Sequence, residues 1–229
     1  MPSGAPVGLP GYAFNVKANR YIRVATGKFV KRSAITDLLT SVTSGTGNRL
    51  ERLALAAQRG DLTGRQFYEL ARREIKQATN ASTALGRGGW DRVTQADYGR
   101  TGAQLKKEYA RLGDFAGALE RGEVSELQAA SRARLYSDSS FKRYWEIDRD
   151  GKIQRGEKHE RWIVVRDDRT CQQCLGLAAQ GCVEVGVLPL PGVHLGCRCR
   201  IEGCKPPSGK SWDVASFREL VGEVCKKMI

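Results

Sequence analysis

The stretch DDRTCQQCLG, residues 167–176, places two cysteines two positions apart, and HLGCRCR, residues 194–200, adds a histidine and two more cysteines. A structural zinc ion takes four thiolate or imidazole ligands in a tetrahedron, and a C-x2-C pair supplies two of them from one tight turn. Two of the three later side chains would complete the set. The pattern predicts a structural zinc site. Its candidate ligands are Cys171, Cys174, His194, Cys197 and Cys199.

The cysteine pattern leaves several alternatives open, because five candidates compete for four places. Which of the three later side chains is not a ligand stays undecided, and disulfides or free buried thiols remain possible for the cluster. Gly176 suits the reversed backbone of a zinc knuckle. Cys182 and Cys204 are reserve ligands, and Cys225 is expected in the core of a final helix.

A catalytic role for this site is disfavoured by the residues around it. A catalytic zinc keeps one open position and usually has a carboxylate base nearby, whereas four or more good ligands indicate a closed site. Asp167 and Asp168 are expected to bond backbone amides in a turn. The other histidine, His159, is expected on the surface. The sequence therefore predicts a protein that is not an enzyme and takes no small-molecule substrate.

Hydropathy and charge limit the cellular compartments and the binding partners that the sequence allows. No apolar run approaches the roughly 18 residues of a membrane span, and the N-terminal residues lack the pattern of a secretory signal. A reducing cytoplasm, in which clustered cysteines favour metal over disulfides, is therefore expected. The net charge is +13, and residues 1–50 hold seven Lys or Arg against one Asp. This is either a solvated basic surface or a contact for a polyanion. The candidate contact residues are Arg20, Arg23, Lys28, Lys31 and Arg32.

The chain before residue 148 is predicted to be helical. Residues 1–19 are rich in Gly and Pro and are expected to form an extended arm. A short hairpin is predicted around residues 25–27. In the helical domain, residues 20–147, apolar spacing predicts five or six helices. Their expected N-terminal caps are Ser33, Thr46 or Asn48, Thr63 and Ser125, with breaks at 85–90 and at Gly122.

A charged link, residues 148–160, then leads into a different pattern. Residues 162–165, 182–188 and 198–202 are predicted to be short strands, and residues 213–227 a final amphipathic helix. The fold class is therefore α+β, with a mainly helical N-terminal body and a small β-rich C-terminal module, residues 148–229. So small a module buries little core and would gain from a metal staple.

The residues around the cysteines resemble the signature of the phage minor head proteins similar to phage Mu protein F, also called phage head morphogenesis proteins. Members carry an aromatic strand, Asp-x-Arg-Thr-Cys-x-x-Cys, a proline-containing stretch and His-Pro-x-Cys-Arg-Cys. This chain departs from the pattern at Leu195, where the family has proline. The matching residues are Trp162, Asp167, Arg169, Thr170, Cys171, Cys174, Pro191, His194, Cys197, Arg198 and Cys199.

The resemblance covers roughly residues 125–202 and implies a structural role in the virion. Such proteins are low-copy components of the head interior, associated with the portal and implicated in head assembly and DNA delivery. The implied partners are the portal protein or the major capsid protein and packaged double-stranded DNA bound without sequence preference. The protein would be made in the bacterial cytoplasm and would need no membrane during assembly. The alternatives are a zinc-containing nucleic-acid-binding protein of non-viral role and a nuclease or toxin-like hydrolase.

Overall fold

The computed structural model describes residues 12–15, 20–23, 25–26, 28–30, 32–165, 167–168, 170–194 and 197–206. Five helices and two small sheets lie within these ranges. The expected Cys225 and final helix, residues 213–227, lie outside them. The strands are β1 (Tyr12–Asn15), β2 (Arg20–Arg23), β3 (His159–Ile163), β4 (Cys182–Glu184) and β5 (Arg200–Gly203). The helices are α1 (Arg32–Gln58), α2 (Gly64–Arg87), α3 (Gln95–Glu120), α4 (Glu126–Gln154) and α5 (Gln172–Ala179).

The first helix, α1, is one element of 27 residues, so the two helices predicted here are wrong. The helix start expected at Thr46 or Asn48 does not occur, because both residues lie inside α1. Instead, the glycine-rich stretch around residues 44–48 lies against α4: a Cβ built on Gly47 would stand 3.0 Å from Oγ of Ser137. Thr46 is buried in the same stretch. The glycine permits close helix packing, and the helix continues through it.

The starts of α2, α3 and α4 are set by side chains that accept hydrogen bonds from the first helical turn. Thr63, Thr94 and Ser125 each form a capping box with the residue three positions later. Each box satisfies two backbone donors that a helix start leaves free. The caps predicted at Thr63 and Ser125 are confirmed, and α2 ends where the break was expected, with Gly88 in the left-handed region at φ 85°.

The last helix of the body, α4, continues to Gln154 and so passes through the boundary predicted after residue 147. The charged link predicted for 148–160 is wrong over its first half, because Asp148 and Lys152 are buried helical residues. They form an ion pair of 3.2 Å. The ammonium of Lys152 also donates to the carbonyl oxygen of Ile201 at 3.1 Å. The helix thereby extends into the C-terminal module.

Two groups of buried side chains make up the core. The helical cluster lies among α1–α4 and includes Leu50, Phe67, Leu112 and Phe115. The junction cluster joins the helices to the C-terminal module, so the module shares its core with the body. The junction cluster comprises Leu39, Leu85, Phe141, Tyr144, Trp145, Trp162, Cys174, Leu188, Cys197, Cys199 and Ile201.

The C-terminal sheet has the order β4-β3-β5, with both outer strands antiparallel to β3. The predicted mainly helical body with a small C-terminal sheet is confirmed, although β4 is shorter than expected. Cys182 and Cys204 form a disulfide, with Cα atoms 6.0 Å apart. The expectation that they are reserve metal ligands is therefore wrong.

The N-terminal hairpin is displaced from its predicted position. Strand β1 pairs antiparallel with β2, with Tyr12 opposite Arg23. Across the turn at residues 25–26, one isolated bridge joins Ile22 and Phe29. Residues 12–15, which were expected in an extended arm, are therefore a paired strand. Among the described helices, none is both long and apolar enough to cross a membrane.

A buried carboxylate connects the ends of α2 and α3. The Asp97 side chain is fully buried and accepts from Arg87 through two bonds of 2.7 Å. It also accepts from the backbone N–H of Thr94 and from Arg100. Burial alone would raise the pKa of Asp97, but these hydrogen bonds outweigh it and hold the pKa well below its ordinary value of 3.8. The carboxylate is therefore charged in the folded protein and stabilises it.

We expect Asp97→Asn to lower the free energy of unfolding at pH 7 by about 3 kcal/mol, because it leaves Arg87 without its buried counter-ion. The pKa of the Asp97 carboxyl is lower in the folded protein than in the unfolded chain. The stabilisation is therefore fully present at pH values above the unfolded-chain pKa, and it is lost as the pH falls through the folded-state pKa. The difference between wild type and variant should therefore shrink below about pH 4. Urea denaturation at several pH values measures it.

Asp61→Asn is the matched control. Asp61 forms an exposed pair with Arg59 at 3.3 Å, so its loss should cost no more than about 0.5 kcal/mol. A difference for Asp97→Asn that stays constant from pH 7 to pH 3 would contradict the assignment.

Candidate metal centre

The first cysteine pair lies at the start of helix α5. Cys171 is the N-cap residue, and its sulfur accepts from the backbone N–H of Cys174 at 3.4 Å. Cys174 follows one turn later in the helix and is buried. Gly176 is helical, so the expected reversed backbone at this glycine is wrong. The spacing brings both thiols to one site because a helix start places residues i and i+3 side by side.

The later residues come from the segment that leads into β5. The backbone N–H of Cys197 donates to the carbonyl oxygen of His194 at 3.2 Å, which brings these two residues together. Cys197 and Cys199 are both buried and precede the first residue of β5, Arg200. The strand thus fixes the end of this segment beside β3.

All five predicted ligands meet in one cluster. Nε2 of His194 lies 3.2 Å from the sulfur of Cys171 and 3.1 Å from that of Cys174. Two groups each have their ligand atoms within 4.8 Å of one another, and Cys174 belongs to both. The groups are Cys171, Cys174 and His194, and Cys174, Cys197 and Cys199. The arrangement could hold a metal ion.

Within the group of Cys171, Cys174 and His194, the spacings are close to those of a tetrahedral metal site. Zinc–sulfur bonds of about 2.3 Å and zinc–nitrogen bonds of about 2.0 Å place neighbouring ligand atoms about 3.5–3.8 Å apart. The observed contacts of His194 are a few tenths of an ångström shorter. A cavity of about 20 Å³ lies at the cluster. The candidate ligands that line it are Cys171, Cys174, His194 and Cys199.

The protonation of the thiols depends on their neighbours. A hydrogen bond from Cys199 lowers the pKa of Cys197 to about 5, while burial raises the pKa of Cys174 to about 12. The hydrogen bond to Cys197 raises the pKa of Cys199, and the N–H of Cys174 lowers that of Cys171. Four thiolates cannot lie this close together unless a cation compensates their charge.

An ion pair outside the cluster connects its two segments. The guanidinium of Arg198 donates two bonds of 2.7 Å to the carboxylate of Asp167. The hydroxyl of Thr170 donates to the same carboxylate at 3.2 Å. The expectation that Asp167 bonds only turn amides missed this partner, because Arg198 lies 31 residues away in sequence. The pair fixes the distance between the two cysteine-bearing segments.

Helix α4 and strand β3 hold the module against the body through a buried ion pair that sequence spacing does not indicate. Glu160 on β3 is fully buried, and Arg149 on α4 pairs with it at 2.8 Å. The backbone N–H of Gly186 donates to the same carboxylate oxygen, Oε1 of Glu160, at 3.1 Å. Arg149 also donates to the carbonyl oxygen of Leu188. Trp162, two residues later on β3, packs in the junction cluster beside the cysteines.

The residues predicted to contact a polyanion lie apart from this cluster. Arg20 and Arg23 lie on β2, Lys28 is exposed after the turn, and Arg32 begins α1. Lys31 lies outside the described residues. His159, expected on the surface, is half-buried on β3, and its carbonyl oxygen accepts from the N–H of Cys204.

Comparison of the chain with protein-family models, with curated proteins and with solved structures gives no match. The fold and the site are therefore interpreted from their own geometry.

We expect a double-mutant cycle on Asp167→Ala and Arg198→Ala to give a coupling energy of about 1 kcal/mol. The fork geometry is favourable, but both side chains keep more than a quarter of their surface exposed, which places the pair at the upper end for surface ion pairs. Urea denaturation of the four proteins measures the coupling.

The control cycle uses Arg121 and Glu123, a pair of similar geometry at 2.6 Å whose side chains are more than half exposed. Its coupling should be closer to zero. Equal coupling in the two cycles would show that the Asp167–Arg198 pair does not connect the segments.

Proposed function

We propose that this protein is a structural minor head protein of a tailed bacteriophage, located inside the head and associated with the portal or the major capsid protein. The observation that supports it is the convergence of the residues that resemble the family signature. Its cysteines and histidine, which come from two segments, meet in one cluster, and Asp167 and Arg198 of the same signature pair beside it. These seven signature residues are thus brought together in this chain.

The metal of the cluster is zinc, held by Cys171, Cys174, His194 and Cys199. Thiolate and imidazole donors together select zinc among the common divalent ions. These four side chains line the small cavity, whereas Cys197 does not. Cys197 then serves as a hydrogen-bond partner of Cys199. When bound, the zinc ion supplies a cross-link between α5 and the segment before β5.

The role of this metal is structural, and the protein is not an enzyme. Four protein ligands close the coordination sphere, whereas a catalytic zinc keeps one position for water or substrate. Glu160, the buried carboxylate of β3, already pairs with Arg149. A carboxylate neutralised in this way is a poor general base.

The Cys182–Cys204 disulfide is compatible with a protein that resides in released phage particles. Disulfides persist in oxidising surroundings, which include virions, and are rare in a reducing cytoplasm. Cys182 and Cys204 can be reduced while the protein is made in the host and oxidised once particles leave the cell. In the head, the net charge of +13 favours contact with packaged double-stranded DNA without sequence preference.

A second candidate is a zinc-containing nucleic-acid-binding protein of non-viral role. The strong positive charge favours it as much as it favours a head protein.

The presence of the protein in purified phage particles separates the two candidates. We expect peptides of this chain in nuclease-treated, density-purified particles from the strain that encodes it, at a copy number far below that of the major capsid protein. Mass spectrometry measures both. A non-viral DNA-binding protein would instead be found in the lysate and removed by nuclease treatment, and that result would overturn the proposal.

The ligand set is tested by replacing each side chain. We expect one zinc per chain in the wild type, and loss of zinc in Cys171→Ser, Cys174→Ser, His194→Asn and Cys199→Ser, since each removes a ligand. Cys197→Ser is the matched control and should keep its zinc. Elemental analysis of the purified proteins measures the stoichiometry. If Cys197→Ser loses zinc while Cys199→Ser keeps it, the assignment of the fourth ligand is wrong.

A further inference from the structure

A groove between α2 and α3 carries unneutralised positive charge. Its volume is about 610 Å³. Four exposed cations and one exposed carboxylate, Glu69, line it. The cations are Arg72, Arg73, Lys76 and Lys106.

These cations differ from most surface arginines of this protein. Elsewhere, Arg49 pairs with Glu74, Arg134 with Glu51 and Arg155 with Glu157. Within the described ranges, none of the four groove cations lies within 4.0 Å of a carboxylate oxygen. Their charge is therefore available to an external anion.

One of the cations is held in position by an aromatic ring. The guanidinium carbon of Arg72 lies 4.8 Å from the ring centroid of Tyr109. Stacking on an aromatic face restrains the guanidinium and leaves the donors at its edge free, which is the geometry that binds a phosphate in a bidentate manner. The same contact covers this face of Tyr109, so the ring does not offer it to a nucleic-acid base.

We propose that the α2–α3 groove binds the phosphate backbone of double-stranded DNA. Arg72 and Arg73 are adjacent in α2 and Lys76 follows about one turn after Arg72, so the three span about 6 Å along the helix axis. The same length of duplex carries about three phosphates, since there is one charge per about 1.7 Å. Backbone contact without base stacking favours a duplex over a single strand.

The groove is separate from the metal centre. Its floor contains Leu105, which belongs to the helical cluster, whereas the cysteines belong to the junction cluster. The choice of DNA as the partner rests on the proposed function, but the groove itself is a property of the helical body. It also provides an alternative to the N-terminal residues as the main DNA contact.

The test measures binding of the full-length protein to a labelled 30-base-pair duplex of arbitrary sequence by fluorescence anisotropy, at 50–300 mM salt. We expect Arg72→Gln/Arg73→Gln/Lys76→Gln to weaken binding at least tenfold at 50 mM salt. The slope of log K against log salt should become shallower by about 2–3, since each lost phosphate contact removes about 0.9. Circular dichroism and thermal unfolding check that each variant is folded.

Two matched variants complete the design. Arg52→Gln/Lys158→Gln/Lys205→Gln removes the same charge from exposed positions outside the groove and should weaken binding less than threefold. A third variant replaces Arg20, Arg23 and Lys28 by Gln and should also retain most of the affinity. The proposal is overturned if the wild type does not bind DNA at 50 mM salt, if the groove and control variants are equally affected, or if only the third variant loses binding.

Two further results separate this inference from the proposed function. Tighter groove-dependent binding to polyglutamate than to the duplex would overturn DNA as the partner. Groove-dependent DNA binding by a protein that is absent from purified particles would uphold the groove and reject the head-protein proposal. If the protein is present in particles but its groove variant binds DNA as tightly as the wild type does, the head-protein proposal is upheld and the groove proposal is rejected.

Discussion

The thiol of Cys174 occupies the one position that both halves of the cysteine cluster share. It lies within 4.8 Å of the sulfur of Cys171 and the imidazole of His194 on one side, and of the two later thiols on the other. It is also buried in the junction cluster, between the sheet and the helices. Charge at this position is costly without compensation because burial raises the pKa of the thiol. A divalent cation bound by the proposed ligands would remove that cost and would connect α5 to the segment that leads into β5.

Helix α4 connects the region around Cys174 to the helical body. Its first part packs in the helical cluster and its last part carries Trp145, Arg149 and Lys152 into the module. The module therefore shares a core and two buried polar contacts with the helices. An ion bound at the cysteine cluster would restrain the same sheet that α4 contacts from the other side of the junction cluster.

Much of this could be predicted from the sequence, because the decisive signals are local. Thr63 and Ser125 are followed by apolar spacing of helical period, and their caps are as predicted. The candidate metal ligands are also predictable from local sequence, because cysteine and histidine residues at close spacing rarely occur by chance. The predictions that failed depended on distant partners. Gly47 of α1 faces Ser137 of α4, and Asp148 and Lys152 resemble linker residues in sequence although Lys152 bonds Ile201 in the fold. The ion pair between Asp167 and Arg198 likewise joins residues that are 31 positions apart in sequence.

The order of the two clusters along the chain has a consequence for synthesis. The last buried member of the helical cluster is Ala133, whereas the junction cluster requires Cys199 and Ile201. At about 5–20 residues per second, the ribosome takes roughly 3–13 seconds to add the residues between these points. During that interval Phe141, Tyr144 and Trp145 emerge before the sheet that covers them exists. The growing chain therefore carries an apolar face on an already formed helical body until its C-terminal segment closes it.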